Sequence, residues 1–553
     1  MFTKQNRART KAQSQRARAQ RFHADPQSLP APTGGWNARD ALADMAPDDA
    51  VSMVNMWPST TDVMVRRGYD QWATGLGVAC ESLMPYNSPT ESTLFAAAGT
   101  SFYDVTAPGV AGAPVETGLT NARWQSTNFA TSGGNFMYAV NGVDNPRLWD
   151  GSTWESIDSG STPAITGVTT TLLNHVNVFK RRLWFVERAS LRVWYLPVDS
   201  IGGEAQMLDF QSLAGLGGYL VEMGTWTIDS GTGSDDLAVF ITSQGQVIVY
   251  RGIDPSNEVT WALAGIWNVG APIGNRCMQK FGGDLLIATF DGLFALSKLL
   301  QSDTVDLKDA LSDKIRLAMS EAATAYSGNF GWDVTVFPQA NMVILNIPVE
   351  EGAAQEQFVM NSINRSWTRF TNWSANCFML FNDEPYFGSA GMVCKAWTNF
   401  TDNVAPIEAS ALQAFNYFGS RGQEKRFTMM RPILNTNGFP AVLANVNVDY
   451  SLEQPTTPAS FSPQPISLWD VALWDVGLWA GQVVTQSNWT SVTGLGYCAS
   501  IRMAIDIDSP VAAGGAVWGV GLWGVNKWSY SDGAEVVLRV NGFDLSMEDG
   551  SIV

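Results

Sequence analysis

Short apolar segments recur in pairs along the first 400 residues, and a tight turn separates the two members of each pair. The turns repeat about every 48 residues, within the ~40–50 residue period typical of propeller blades. Because one hairpin cannot bury its own apolar face, it must stack on neighbours around a ring. The pattern predicts a six- or seven-bladed β-propeller over residues 76–400. The predicted turns are Gly99-Thr100, Gly142-Val143, Ala189-Ser190, Gln244-Gly245, Asp291-Gly292, Gln339-Ala340 and Ala390-Gly391.

The rest of the chain predicts other elements. Residues 303–326 place apolar side chains at helical spacing, which predicts one inserted amphipathic helix that begins at Asp303 and packs outside a blade. Residues 401–553 contain longer strands and predict a β-rich platform domain. At the other end, residues 1–31 form an arm, and residues 32–75 supply a strand that closes the last blade. The predicted fold class is therefore mainly β.

Tryptophans recur every five residues in two runs of the C-terminal domain. A period of five fits neither a helix nor one face of a strand. The density of Val and Leu in both runs favours a subunit interface or a core over carbohydrate stacking. The six residues are Trp469, Trp474, Trp479, Trp518, Trp523 and Trp528.

Charge is distributed unevenly along the chain. The formal net charge is −18, and seven basic side chains precede the first acid, Asp25, so residues 25–553 carry −25. So acidic a body is not expected to bind nucleic acid through its general surface, but it is compatible with surrounding DNA that slides past. The arm is predicted to dock on an acidic neighbour or on nucleic acid, with a solvated tail as the alternative. Its basic residues are Lys4, Arg7, Arg9, Lys11, Arg16, Arg18 and Arg21.

Several protein classes are not expected from this sequence. No run reaches the ~18–20 apolar residues of a membrane span, and the N-terminus lacks the apolar centre of a secretory signal. The five cysteines include no CxxC pair and leave one over, so neither a disulfide framework nor a zinc site is predicted. We expect them to be small buried apolar residues.

Catalytic motifs are also missing from the sequence. No GxSxG surrounds a serine, and no GxxxxGK[ST] is present. Of the two histidines, we expect His175 to form hydrogen bonds at the end of a strand. The acid pairs Asp235-Asp236 and Asp383-Glu384 lie where predicted strands begin, a common place for solvated acids. We therefore expect a protein that is not an enzyme and that carries no cofactor or metal.

The residues just after the arm form an ordered set of short motifs. They read PTGGWNARD at 32–40, MAPDDA at 45–50, NMWP at 55–58 and VRRGY at 65–69. This segment, 32–69, resembles the N-terminal signature of phage tail nozzle proteins, the family of tail tubular protein B and of the packaged-DNA stabilisation proteins of short-tailed phages. We call residues 32–69 the signature segment. The matching positions are Gly34, Gly35, Asn37, Asp49, Asn55, Pro58, Arg66 and Gly68.

The resemblance implies a structural role in the tail of a virion. Six copies would form a homohexameric ring below the head-to-tail adaptor, and tail fibres or spikes would dock on the outer propeller face. An axial channel would hold the packaged double-stranded DNA without sequence specificity and release it during ejection. Gly34 and Gly35 would let the arm turn sharply into the body. Arg66 and Arg67 lie on opposite faces of a predicted strand, so one of them is expected to point to a partner or an acidic neighbour.

Two alternatives remain on the sequence alone. One is a carbohydrate-binding or carbohydrate-cleaving propeller that acts as a receptor-binding tail component. The other is a scaffold propeller of a cellular complex, which is disfavoured because the blades lack regular WD or kelch signatures.

Overall fold

The computed structural model describes residues 25–229, 234–257, 259–299, 307–436, 441–459, 483–507 and 537–552. These residues form many short strands and little helix, which confirms the prediction of a mainly β protein. The basic side chains predicted for partner docking, Lys4 to Arg21, lie outside the described residues. So do the six tryptophans of the two periodic runs, from Trp469 to Trp528.

Most of the N-terminal strands pair with strands from later parts of the chain. They are β1 (Asp25–Pro30), β2 (Gly35–Trp36), β3 (Asp49–Val54), β4 (Met56–Pro58) and β5 (Val63–Val65). The chain then enters a long strand, β6 (Tyr69–Asn87), which begins the first of seven successive groups of antiparallel strands. We call these groups sheets I to VII.

Sheets I to III contain the following strands in chain order. Sheet I has the second half of β6 with β7 (Ser92–Ala98), β8 (Ser101–Asp104) and β10 (Glu116–Thr117), while β9 (Gly109–Val110) pairs with the first half of β6. Sheet II has β11 (Gln125–Thr131), β12 (Gly134–Val140), β13 (Arg147–Trp149) and β14 (Trp154–Ser156). A short parallel pair joins β15 (Ile165–Thr166) to β19 (Gly203–Glu204). Sheet III has β16 (Leu173–Phe179), β17 (Arg182–Glu187), β18 (Arg192–Tyr195) and β20 (Gln206–Asp209).

Sheets IV to VII continue the same arrangement. Sheet IV has β21 (Leu220–Asp229), β22 (Ser234–Thr242), β23 (Gln246–Gly252) and β24 (Trp261–Asn268). Sheet V has β25 (Met278–Phe281), β26 (Asp284–Thr289) and β27 (Gly292–Ala295). Sheet VI has β28 (Asp333–Phe337), β29 (Met342–Glu350), β30 (Ala354–Asn361) and β31 (Trp367–Phe370). Sheet VII has β32 (Cys377–Phe381) and β33 (Glu384–Ala396), and β33 pairs with the first half of β6.

Six of the seven predicted turns join paired strands of these sheets. The seventh, Ala390-Gly391, is wrong, because β33 continues through it and pairs with β6 across an irregularity in register. The turn of sheet VII lies instead at Asn382 and Asp383, whose φ angles are 51° and 62°. Asn and Asp tolerate this left-handed conformation better than other residues with side chains.

The predicted helix is present but shorter than expected. Helices cover Leu296–Leu299 and Arg316–Tyr326, with 3-10 turns at Thr170–Leu172, Leu307–Asp309, Asp313–Ile315 and Pro338–Ala340. The longer helix begins at Arg316, and the predicted cap, Asp303, lies outside the described residues. Its buried face includes Met319 and Ala323 and packs on β27 and β29. This helix therefore covers the boundary between sheets V and VI.

The last part of the chain forms two sheets that face each other. Its strands are β34 (Thr401–Asp402), β35 (Ala405–Gln413), β36 (Gln423–Thr436), β37 (Ala441–Val448), β38 (Val484–Gln486), β39 (Thr490–Gly496), β40 (Ala499–Ile507) and β41 (Leu538–Ile552). One sheet contains β3, β34, β35, β40 and β37, and the other contains β36, β38, β39, β41 and the N-terminal strands β1, β4 and β5. Residues from both sheets, such as Met53, Ile407 and Phe543, share one apolar core. We call this unit the C-terminal sandwich.

Strands from the two ends of the chain meet in this sandwich. β1 is antiparallel to β41 from Asp25 opposite Met547 to Pro30 opposite Gly542. β3 pairs with both β31 of sheet VI and β35 of the sandwich. Hydrogen bonding is therefore continuous from the sheets into the sandwich through the signature segment.

Candidate functional site: the signature segment and the inner-strand cavity

Arg66 is the most completely buried charge of the signature segment. Its side chain has no exposed surface, and its two terminal nitrogens donate to the two carboxylate oxygens of Asp402 at 2.8 and 2.6 Å. The other donors reach Asn55 Oδ1 at 2.9 Å, the Arg67 carbonyl at 3.0 Å and the Thr371 carbonyl at 2.8 Å. All five N–H groups of the guanidinium thus have acceptors, which is the condition under which a buried arginine is tolerated.

Asn55 joins this arginine to two other parts of the fold. Its amide nitrogen donates to Thr371 Oγ1 and to the Glu408 carbonyl, each at 2.8 Å, while its backbone N–H donates to the Arg369 carbonyl. The residue has a φ of 54°, a conformation that Asn adopts more readily than most residues. Because Arg369 belongs to sheet VI and Glu408 to the sandwich, Asn55 links the two directly.

Gly34, Gly35, Asn37 and Asp49 form a second cluster. Asn37 donates to Asp49 Oδ2 at 2.7 Å, and Lys314 donates to Asp49 and to the Gly34 carbonyl. A Cβ on Gly34 would lie 2.4 Å from Asp49 Oδ1. The cluster ties the start of the signature segment to the turn that precedes the helix Arg316–Tyr326.

Gly35 and Gly68 permit close approach of backbones. Gly35 has a φ of +77°, and a Cβ there would lie 2.6 Å from the Trp367 carbonyl oxygen. A Cβ on Gly68 would lie 1.8 Å from the Thr401 carbonyl oxygen. Pro58 is buried in β4, and its carbonyl accepts a hydrogen bond of 2.9 Å from Asn361. These signature residues therefore serve contacts within the chain.

The expectation for the arginine pair is met in part. Arg66 does face an acidic neighbour, Asp402, but the pair is buried within the chain and is not open to a partner. Arg67 is partly exposed, its guanidinium carbon lies 5.7 Å from the Phe400 ring centre, and one of its nitrogens donates to the Thr398 carbonyl at 3.4 Å.

A cavity of about 260 Å³ lies among the first strands of the seven sheets, and we call it the inner-strand cavity. The first strands contact one another in the order β6, β11, β16, β21, β25, β28 and β32, and β32 contacts β6 again. Each of these seven strands contributes at least one residue to the lining of the cavity. Its polar lining includes Gln125, His175, Glu222, Arg276 and Asp333.

Two carboxylic acids face this cavity. Glu222 accepts hydrogen bonds from the backbone N–H groups of Cys277 at 2.8 Å and Met278 at 2.9 Å. Burial, together with the charge of Asp333, raises the pKa of Glu222 to about 8, so its side chain is mostly protonated at neutral pH. Burial also raises the pKa of Asp333, whose carboxylate accepts a hydrogen bond from the Phe378 N–H at 3.1 Å.

His175 and Arg276 complete the polar lining. His175 Nε2 lies 3.0 Å from the Met223 carbonyl, and Nδ1 contacts Gln125 Oε1. Burial lowers the pKa of His175 to about 4, so the ring is neutral at pH 7, in the hydrogen-bonding role that the sequence predicts. Arg276 donates to Ser82 Oγ at 2.7 Å.

The acids singled out in the sequence lie elsewhere. Asp236 pairs with Lys180 at 3.2 Å, and Glu384 pairs with Lys395. Glu222 and Asp333 were not predicted, because each stands alone in an apolar run and no spacing rule joins them across 111 positions. Within the described ranges, no group of three His, Cys, Asp or Glu side chains is placed to hold a metal ion. None of the helices in those ranges has the length and apolarity needed to cross a bilayer.

The likenesses of this chain to known proteins are all among solved structures. No family model and no curated protein matches the chain. The extracellular domain of a hybrid two-component system from B. thetaiotaomicron is 10% identical with a TM-score of 0.37, and the match covers 62% of this chain and 41% of that one. BBS1N, solved in complex with ARL6DN, is 8% identical with a TM-score of 0.37, and the match covers 61% of this chain and 99% of that one.

Proposed function

We propose that this chain is a structural nozzle subunit in the tail of a short-tailed phage. In this role, six copies form a ring below the head-to-tail adaptor, retain the packaged DNA and conduct it during ejection. The observation that carries the proposal is the position of the signature residues. Asn55 and Arg66 connect sheet VI, the signature segment and the C-terminal sandwich through buried hydrogen bonds. A subunit that transmits force between adaptor and tail tip needs such a joint between its parts.

We further propose that sheets I to VII are the blades of a seven-bladed propeller and that the sandwich is the platform domain. The cyclic contacts among first strands support this proposal. So does the double role of β6, which pairs with β33 through its first half and with β7 through its second half. A single strand shared by the last and first sheets is a means of closing a ring.

The acidic balance of the chain suits the proposed channel. A net charge of −25 over residues 25–553 repels a duplex and keeps it from adhering to the wall. The arm, with seven basic side chains, is the candidate for docking on the adaptor. Fibres or spikes are proposed to bind the outer face of the propeller.

DNA retention tests this function. Phage that carry a stop codon in this gene are grown in a permissive and in a non-permissive host, and nuclease-protected DNA per capsid is measured. The proposal predicts that heads fill in the non-permissive host but lose their DNA after packaging. Stable, fully protected DNA in particles that lack this chain would contradict it.

The inner-strand cavity favours a second candidate function, a carbohydrate-binding or carbohydrate-cleaving propeller. Glu222 and Asp333 supply two carboxyl groups in one cavity, and glycosidases use such a pair with one member protonated. Purified protein would be incubated with polysaccharide from the host surface, and reducing ends and bound sugar would be measured. Sugar release that Glu222→Gln abolishes would favour this candidate, and absence of both binding and release would exclude it for that polysaccharide.

A further inference from the structure

Two cysteines stand side by side where sheet VII meets sheet I. Cys80 lies on β6 at the point where the pairing of that strand changes, because Ala79 pairs with β33 and Cys80 pairs with β7. Cys377 is the first residue of β32, the first strand of sheet VII. The two positions are separated by 297 residues in sequence. Both residues therefore lie at the junction between the two ends of the sheet series.

The two thiols are neighbours and are buried, with residues that are 0% and 1% exposed. Cys80 Sγ lies 3.5 Å from the Ser82 carbonyl oxygen, and Cys377 Sγ lies 4.0 Å from the Cys80 carbonyl oxygen. A Cβ on Gly388 would lie 2.7 Å from the Cys80 sulfur and 2.9 Å from the Cys377 sulfur. The lack of a side chain at Gly388 thus leaves the space in which both sulfurs fit.

The thiols differ in their surroundings. Cys377 lines the inner-strand cavity, whereas Cys80 does not. Burial opposes ionisation of Cys377, but the neighbouring thiol of Cys80 and the charge of Arg276 lower its pKa below the ordinary value. The thiol of Cys377 and burial raise the pKa of Cys80. Because the thiolate is the nucleophile in thiol–disulfide exchange, Cys377 is the thiol suited to react first.

We propose that Cys80 and Cys377 form a reversible dithiol–disulfide site that covalently ties sheet VII to sheet I when a small disulfide enters the inner-strand cavity. The Cys377 thiolate attacks one sulfur of the small disulfide, whose S–S bond breaks and releases one thiol after protonation. Cys80 then loses its proton and attacks the Cys377 sulfur, which expels the second thiol and forms the new S–S bond. The protein loses two electrons and two protons, and the small disulfide gains them.

This bond would act on the unfolded chain as well as on the junction. A cross-link that closes a loop of 297 residues removes conformational freedom from the denatured state, and long loops have the largest predicted effect. Oxidation should therefore raise the melting temperature by several degrees without changing the oligomeric state. Reduction should reverse the shift.

The test uses the reduced full-length protein treated with bis(2-hydroxyethyl) disulfide under native conditions. Mass spectrometry should show the loss of two hydrogen atoms per chain, and peptide mapping should find one cross-link, between Cys80 and Cys377. Cys394→Ala, which removes another buried cysteine, should leave the cross-link intact. Cys80→Ser should stop at a mixed disulfide on Cys377.

Peptide mapping of the wild-type protein tests the proposed disulfide whether or not the variants fold. A stable mixed disulfide on wild-type Cys377 would overturn the proposal, because it would mean that Cys80 cannot reach the Cys377 sulfur. Five unreacted thiols after prolonged treatment would also overturn it. As a second variant, Gly388→Ala should slow cross-linking, since its methyl group occupies the space beside both sulfurs. An unchanged rate in this variant would contradict the assigned contact.

Discussion

At the scale of single residues, Arg66 illustrates how a buried charge is retained. Desolvation of a guanidinium is costly, and its attraction to one carboxylate does not always offset that cost. Here the two-pronged contact with Asp402 is supplemented by acceptors from Asn55, Arg67 and Thr371. Removing the cation alone would leave the Asp402 carboxylate, which is 4% exposed, without its counter-charge.

The variant Arg66→Met should therefore be strongly destabilised, by about 3–5 kcal/mol in the free energy of unfolding. Arg181→Met is the matched control, because Arg181 also pairs with an aspartate, Asp199, but is 76% exposed. Exposed pairs contribute about 0–1 kcal/mol. Chemical denaturation of both variants checks the expectation. Equal, small losses in the two variants would show that the Arg66 pair does not hold the joint together.

The buried side chain of Glu222 should make the stability of the fold depend on pH. Its pKa is about 8 in the folded protein and 4.5 when unperturbed, so folding favours the protonated form. The stability it contributes is fully present below pH 4.5 and is lost as the pH rises through about 8, with a slope of at most about 1.4 kcal/mol per pH unit. The stability of the wild type should fall between pH 6.5 and 8 relative to Glu222→Gln.

The range from pH 6.5 to 8 lies above the pH values at which protonation of His175 lowers stability. The pKa of His175 is lowered from 6.5 to about 4, so its effect is a loss of stability as the pH falls below 6.5. Denaturation curves at several pH values between 6.5 and 8 measure the difference between wild type and Glu222→Gln. A constant difference across this window would mean that Glu222 does not bind a proton on folding.

At the scale of elements, β2 depends on a glycine for its place beside sheet VI. Gly35 pairs with Trp367 of β31, has a φ of +77°, and leaves no room for a Cβ. Gly77 is its matched control, because its φ is +76° and no atom lies within 4 Å of its Cβ position.

Both Gly35→Ala and Gly77→Ala carry the cost of an alanine in the left-handed conformation. The difference between their free energies of unfolding therefore measures the effect of the close approach of β2 and β31. Gly35→Ala should be less stable than Gly77→Ala by about 1–3 kcal/mol, the usual cost of overpacking. Thermal and chemical denaturation measure the difference. If the two variants lose the same stability, the packing of β2 against β31 is not tight.

Local elements were predictable from the sequence, and distant pairings were not. The hairpins follow from apolar runs with turn residues between them, which is why six turns were predicted correctly. The turn predicted at Ala390-Gly391 was wrong because a glycine within a strand can mark an irregularity in pairing as well as a turn. The sequence singled out Gly35 and Arg66, but not the partner of Arg66, because Asp402 is 336 residues away. The cavity acids and the contact of Cys80 with Cys377 likewise arise only from the arrangement of the sheets.

At the scale of the whole molecule, the signature segment joins sheet VI to the sandwich. Its strands pair with sheet VI on one side and with the sandwich on the other, and β1 adds the start of the described chain to the same sandwich. A chain built in this way holds sheet VI and the sandwich together through paired strands. In the proposed ring, the angle between them would set the shape of the channel.

The central claim, the proposed ring around DNA, is tested most directly by cryo-electron microscopy of the particle that carries this chain. The account predicts six copies around an axial channel that contains duplex density, joined to an adaptor ring above. It also predicts that each copy is a closed seven-bladed propeller joined to its sandwich at Arg66. A peripheral or three-fold position at the tip of a fibre would contradict the nozzle assignment.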